Sequence, residues 1–535
     1  MRPLQTASIG APGFLGLNSQ ESSVQLSSGY ALKAENCVID RYGRIGARRG
    51  WVPVNTTVNT DLGSANPVQF LFEVIIPGNN VLISGGNNKL FTGTTTMTTA
   101  AVRNSTNSGN LTYTITANNW QAAALPFGDG SAALPHAYLV QSAHEVLVFH
   151  NLSSSGHNHD GSYGFQRLGD VGSLPAGYST STFKPNCALA AYGRIWMADI
   201  VGDIQTVYFS RLLDGSDFSG GDSGSLSLNA VFPSNDKIVG LAAHNGFLII
   251  FGRNNIAIYG NPIDVTQLTL IDFIPNIGCI SRDSIATTGT DVIFLSDAGV
   301  RSLQRVIIEK SLPFRDMSKN VRDEVMQNVA SETATNIKAV YYDRDAFYLL
   351  SLPTTGVVYC FDTRTALENG AARVTTWNSI DPKAFFVNQA KELLIGRPGY
   401  IGKYSGFYDN GTTYRLSYYT NHFDFDNPTT LKILKKIGFI VIGGGGAQVA
   451  VKYGFDYEDN YLSQTKILAG GSAYEYGIAE YNIAEYFGGI ILERFFVNVT
   501  GAGTIVQIGL ETEISGNPFS IQKIDVASKI GKIVI

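Results

Sequence analysis

The chain has 535 residues, 57 of them glycine and 55 of them tyrosine or phenylalanine, with only 16% charged and a formal net charge of -5. That length calls for more than one domain. The shortage of Glu, Lys and Arg argues against a long-helical protein, and the acidic balance argues against a free DNA-binding domain. Many short apolar runs separated by turn residues predict an all-β chain.

The opening MRPLQTASIGAPGFLGL lacks the apolar run of a signal peptide, and nowhere do about 18 apolar residues follow one another as a membrane helix needs. Four cysteines (Cys37, Cys187, Cys279, Cys360) lie far apart without CxxC spacing, so they read as buried free thiols of a chain made in a reducing cytoplasm. Next comes DRYGRIGARRGW (40–51), which packs Arg41, Arg44, Arg48 and Arg49 into one short strand-turn stretch. Residues 1–60 are expected to form a strand-rich arm.

From 61 to 410 a unit recurs: an apolar strand, a polar turn, a second strand, a turn and a third strand. IVGLAAHNGFLIIFGRNNIAIY (238–259) and IKAVYYDRDAFYLLSLPTTGVVYCF (337–361) show it plainly. The first turns fall near Asn79, Ala143, Gly193, Asn245, Thr290, Arg344 and Gln389, roughly 45 to 64 residues apart, close to propeller repeat lengths. Segments such as VTTWN (374–378) supply a fourth, outer strand. Four antiparallel strands repeated radially make a β-propeller of six or seven blades. A string of sandwiches would need more residues per unit.

One stretch breaks the pattern. In PFRDMSKNVRDEVMQNVASE (313–332) Met317, Val321, Val325 and Val329 are spaced by four, which predicts one amphipathic helix covering the sheets. From 411 to 535 longer strands without blade spacing predict a separate β-sandwich-like domain.

Local motifs for chemistry are sparse. His157, His159 and Asp160 in HNHD fit a solvated loop better than a metal site, and Asp214, Asp217 and Asp222 miss the spacing of a calcium loop. IGGGGAQ (442–448) lacks the Lys-Ser/Thr of a phosphate cradle and reads as a turn. Propeller glycosidases of the sialidase type carry repeated S-x-D-x-G-x-T-W boxes; SDAGVRSL fails at the spacing and the aromatic. No enzyme activity, metal or cofactor is therefore expected. In YEYGIAEYNIAEYFGG (474–489) Tyr476, Tyr481 and Tyr486 recur every five residues, a period that fits neither helix nor flat strand. They are either interface anchors or pegs of an irregular packed loop.

Several of these stretches together resemble one family. GAPGFLGLNSQESSVQLSSGYALKAENCVIDRYGRIGARRGW, the blade-like GCISRDSIATTGTDVIFLSDAGVRSL and the tandem AEYNIAEYF are similar to tail nozzle proteins (tail tubular protein B-like) of short-tailed bacteriophages. The resemblance implies a structural virion protein, made in the host cytoplasm. It would form a homohexameric ring below the portal and adaptor protein, meet tail fibre or needle and tip proteins, and conduct double-stranded DNA through its lumen without specific binding. On that reading Arg41, Arg44, Arg48 and Arg49 are expected to pair with carboxylates of a neighbouring subunit in preference to contacting DNA, with a solvated surface cluster as the alternative for one or two of them. The competing class is a carbohydrate-binding or glycan-cleaving propeller of the tail. That class needs carboxylates and aromatics gathered at the propeller axis.

Overall fold

The computed structural model describes residues 4–23, 25–127, 134–153, 159–303, 316–425, 427–458, 460–469 and 492–533. Strands make up 51% of the chain and helix 5%, so the all-β expectation holds. Among the described residues, six four-stranded blades and one three-stranded sheet follow one another around an axis. Their innermost strands, in order, are Phe70–Ile76, Gln121–Leu125, Pro185–Ala191, Ile238–His244, Ala286–Thr287 (the three-stranded sheet), Lys338–Tyr342 and Ala384–Val387. The last touches the first, which closes the ring.

Six of the seven marker turns of the sequence fall at the junction of the first and second strand of a sheet, while Ala143 falls between the second and third strands of the second blade, His136–Gln141 and His144–Ser153. Their chemistry explains why. Asn245 (φ 49°) and Gly246 (φ 81°) occupy the left-handed region that a two-residue hairpin turn requires. Second strands such as Arg194–Ile200 and Phe347–Leu352 are buried along their whole length, because a sheet covers each face. Separate apolar clusters fill the contacts between successive blades. Phe183 and Met197 pack between the second and third, for example, and Leu71, Phe91, Leu394 and Ile401 between the last and first.

The last blade takes its outer strand from the other end of the chain. Trp51–Pro53 pairs antiparallel with Tyr400–Tyr404, Trp51 opposite Tyr404. Gly402 permits this, since a Cβ there would lie 2.7 Å from the Trp51 indole. Strands from the first sixty residues also complete both sheets of the C-terminal sandwich. Leu4–Gly10 and Ile45–Ala47 pair with Phe519–Ile533, and Tyr30–Glu35 pairs with Tyr414–Thr420. Tyr30–Glu35 meets the outer blade strand Arg373–Trp377 through a single parallel pair, Glu35 with Thr376, so propeller and sandwich share a sheet. The glycine run at 443–446 forms a corner. It links Thr430–Gly443 in one sandwich sheet to Gln448–Phe455 in the other.

The helix is shorter than the spacing suggests. It begins with a 3-10 turn, Lys319–Val321, and continues as Arg322–Ala330. Met317 cannot join it, because its N–H donates to the Val300 carbonyl (3.0 Å) and its carbonyl accepts from Ala372 (3.0 Å). Residues 313–315 lie outside the described residues. Met317, Val321, Val325 and Val329 are all buried in the core shared by the sandwich, the three-stranded sheet and the next blade.

Asp316, beside that start, is buried, and burial pushes its carboxyl up to about 6 against the opposing pull of Arg322, Arg301, Ser318 and Lys319. A folded value above the unfolded one means that the native state carries no penalty below about pH 4 and the full penalty above about pH 6. Asp316→Asn is therefore expected to raise stability at pH 7 by about 1–2 kcal/mol and to change it little at pH 4. Melting curves at the two pH values check this; an equal shift at both would refute it.

Candidate functional site: a buried arginine and a pinned propeller axis

The stretch 40–51 divides between surface and interior. Asp40 organises the hairpin turn: its Oδ1 accepts from the N–H groups of Tyr42 (2.8 Å) and Arg44 (3.0 Å), and its Oδ2 from Arg44 Nε (2.6 Å). Arg41 and Arg44 flank the Tyr42 ring at 4.8 and 4.5 Å. Arg41 is exposed and Arg44 half-buried.

Arg48 is fully buried. Nη1 and Nη2 grip Asp409 in a fork of 2.9 and 2.6 Å. Nε donates to Asn36 Oδ1 (3.0 Å), Nη1 to the Arg49 carbonyl (2.8 Å) and Nη2 to Ser379 Oγ (2.6 Å). All five donors of the guanidinium are thus satisfied. Its plane lies 4.0 Å over the Tyr414 ring. Asn36 follows a sandwich strand, Ser379 follows a blade, Asp409 leads from the last blade, and Tyr414 opens the sandwich. A buried cation needs this full set of acceptors, and its own chain supplies them. The expectation that Arg48 pairs with a neighbour's carboxylate is corrected accordingly: it clamps propeller to sandwich within one subunit. Arg49 is half-buried, with its N–H donating to Tyr404 Oη (3.0 Å).

Tyr476, Tyr481 and Tyr486 lie outside the described residues, as do His157 and the side chains of His159 and Asp160. The aspartates of 214–222 serve the local turn. Asp214 and Asp217 accept from the backbone N–H groups two residues on, at 3.1 and 3.0 Å, and Asp222 pairs with buried Arg194. The hydrogen bond from Arg194 holds Asp222 below the usual carboxylate range. All four cysteines are free and buried, and burial pushes the Cys279 thiol up to about 11.

The propeller axis holds a second polar cluster. Arg282 and Asp283 stand at the entry to the three-stranded sheet, and Lys338 on the innermost strand of the next blade. Arg282 donates through its Nη atoms to the carbonyls of Asn119 and Asn186, ahead of the second blade and within the third. Its Nε pairs with Asp283 (3.0 Å), and Asp283 also pairs with Lys338. Burial raises the Asp283 carboxyl, but the two cations outweigh burial and hold it below its ordinary value. Arg282 thereby crosses the axis. Beside this pin a cavity of about 310 Å³ is lined by Phe70, Phe72, Trp120, Gln121, Phe385 and Phe386, among others, and Asp283 is its one carboxylate. Nothing in the sequence marks this trio, since Arg-Asp pairs are common and Lys338 lies 55 residues away from Asp283.

No family model and no curated protein matches the chain. Among solved structures, the extracellular domain of a one component system of B. thetaiotaomicron aligns at TM-score 0.36 and 11% identity, over 68% of this chain. The chain spans 40% of that protein's length. The Neurospora crassa Pan2 WD40 domain aligns at 0.37 and 10%, over 67% of this chain and 96% of that one. The exo-beta-1,3-galactanase of Phanerochaete chrysosporium aligns at 0.26 and 11%, over 80% and 98%. At these scores none of them bears on what the chain does.

Proposed function

We propose that this chain is a structural subunit of a short-tailed phage tail, a nozzle protein that forms a ring continuing the portal-adaptor channel. The observation that carries this reading is the blocked axis joined to a clamped second domain. A cavity of about 310 Å³ is the size of a small-molecule pocket, not of a duplex. A conduit built from this chain must lie between subunits, which calls for a closed head-to-tail ring. The N-terminal stretch that resembles the nozzle family supplies strands to both domains, which suits a rigid load-bearing subunit.

Six copies would carry about -30 formal charges, and such a wall repels phosphate weakly over a Debye length of about 8 Å. DNA can then pass without adhering. The subunit alone is expected to be largely monomeric and to assemble on the adaptor. Electron microscopy of the purified chain with and without a portal-adaptor complex tests this. Rings on the adaptor are expected; a chain that stays monomeric and unattached would reject the nozzle reading.

The aromatic axial cavity favours a second reading, a glycan-binding propeller. Binding suits it better than cleavage, because hydrolysis ordinarily uses two carboxylates flanking the bond and Asp283 is engaged by two cations. Calorimetry with host-surface oligosaccharides decides it: saturable heat lost on Trp120→Ala would favour that reading.

A further inference from the structure

Two oppositely charged surfaces of this chain are complementary to each other. The first is the rim of the third and fourth blades. Leu212, Leu213, Phe247, Ile263, Leu270 and Ile271 are all exposed there, Ile263 at 66% and Ile271 at 56%. Leu212, Leu213, Phe247 and Ile271 lie close to one another across the two blades. Tyr192 Oη of the third blade donates to the Phe247 carbonyl of the fourth (2.8 Å), and Leu212 and Leu213 sit over the Gly193 next to it. Phe247 and Ile271 both border Gly260. Thr269–Ile274 is the outermost strand of its sheet among the described residues, so its edge is open to a partner. Asp264 and Asp272 give this apolar rim negative charge. Scattered single apolar residues need no explanation, but exposed apolar side chains gathered across two blades mark an interaction surface.

The second surface is the outer face of the sandwich sheet built on Thr430–Gly443. Register places Phe496 and Asp525 on either side of Gly438, and Arg494 and Lys523 on either side of Ile440. Lys436 and Lys529 lie on the same outward rows, while Ile437, Phe439, Phe495 and Ile524 point into the core. Phe496 is exposed, with Lys436 Nζ 3.9 Å and the Arg494 guanidinium 4.8 Å from its ring centre. Four cations therefore stand on a face where Asp525 pairs with two of them, 2.9 Å from Lys523 and 3.9 Å from Arg494.

We infer that the basic, aromatic sandwich face of one copy docks on the acidic, apolar rim of blades three and four of the next copy. The two surfaces do not pack on each other within one chain, since Phe496 on one and Ile263 and Ile271 on the other all stay exposed in it. Contact between two different patches of identical chains is heterologous, so it propagates and closes into a ring or runs into a filament. Closure rests on the nozzle reading; the pairing of the faces does not. Docking would also bury the sandwich cations, leaving the remaining exposed charge more acidic.

The test is charge reversal, read as ring yield on the adaptor by native mass spectrometry and electron microscopy. Asp264→Lys with Asp272→Lys, and separately Lys436→Glu with Arg494→Glu, are each expected to cut ring yield at least tenfold. The quadruple variant, with both surfaces reversed, is expected to restore it. A second measurement leaves the charges intact: Ile271→Cys with Phe496→Cys should form an intersubunit bismaleimide crosslink, the four native thiols being buried. Wild-type rings with unaffected variants and no crosslink would overturn this inference and leave the nozzle reading standing. A wild-type chain that forms no ring, while the Ile271→Cys, Phe496→Cys variant crosslinks into chains head to tail, would remove the nozzle reading and keep the inference. Intact rings that lose DNA retention on Lys436→Glu with Arg494→Glu would make the basic face a nucleic-acid surface and overturn the inference.

Discussion

Arg48→Ala is expected to destabilise the folded subunit by about 3–5 kcal/mol, the cost of leaving a buried partner charge alone. Asp409 is 9% exposed, and without Arg48 it keeps only the Ser379 hydroxyl (3.1 Å) among the contacts seen around the clamp. Asn36 loses its Nε donor, and Tyr414 loses the cation stacked on its ring. Lysine should not rescue the site. One ammonium can neutralise Asp409 but cannot reach five acceptors in the plane of a fork. Arg41→Ala provides the contrast: its exposed side chain stacks on Tyr42 next to it, so its removal should stay within about 0.5 kcal/mol. Denaturant midpoints for the three variants measure this. If Arg48→Ala matched Arg41→Ala, the clamp would be energetically idle and an intersubunit role for Arg48 would regain its footing.

That contrast shows where sequence reading reached its limit. The blades were legible because each turn carries its own chemistry within a few residues: Asn245-Gly246 needs no distant partner to mark a hairpin. Second strands were legible for a similar reason, since a run such as FYLLSL reports burial on both faces. Arg48 was not. Its charge is visible, but Asp409 lies 361 residues away, and four arginines in nine positions look alike until burial separates them. The helix start moved to Lys319 because the hydrogen bonds of Met317 come from Val300 and Ala372, which periodicity cannot register. The outer strand of the last blade came from Trp51–Pro53, inside the very stretch whose arginines drew attention. A tryptophan there was the available signal: it fills the space over Gly402 and stands opposite Tyr404.

Asp283→Ala is expected to cost about 3–5 kcal/mol as well, because it leaves Arg282 and Lys338 buried at the propeller axis without their shared carboxylate. The pH dependence identifies the cause. The cations hold the folded Asp283 below the unfolded carboxyl value of about 3.9, so the native state gains its full stabilisation above that value. The gain is lost as pH falls from about 4 through the folded value. The gap in melting temperature between wild type and Asp283→Ala should therefore be wide at pH 6 and narrow steadily below pH 4. A gap that stays constant down to pH 2.5 would mean that the lost contribution is packing and not charge. Asp283→Asn separates the terms further, since it keeps the shape and part of the hydrogen bonding while removing the charge. The same variants bear on the conduit. If DNA passes between subunits, loosening the axial pin should lower stability while ring assembly on the adaptor and genome passage persist at temperatures where the variant is folded. Loss of passage by a folded, assembled Asp283→Asn ring would instead place the axis itself on the DNA path.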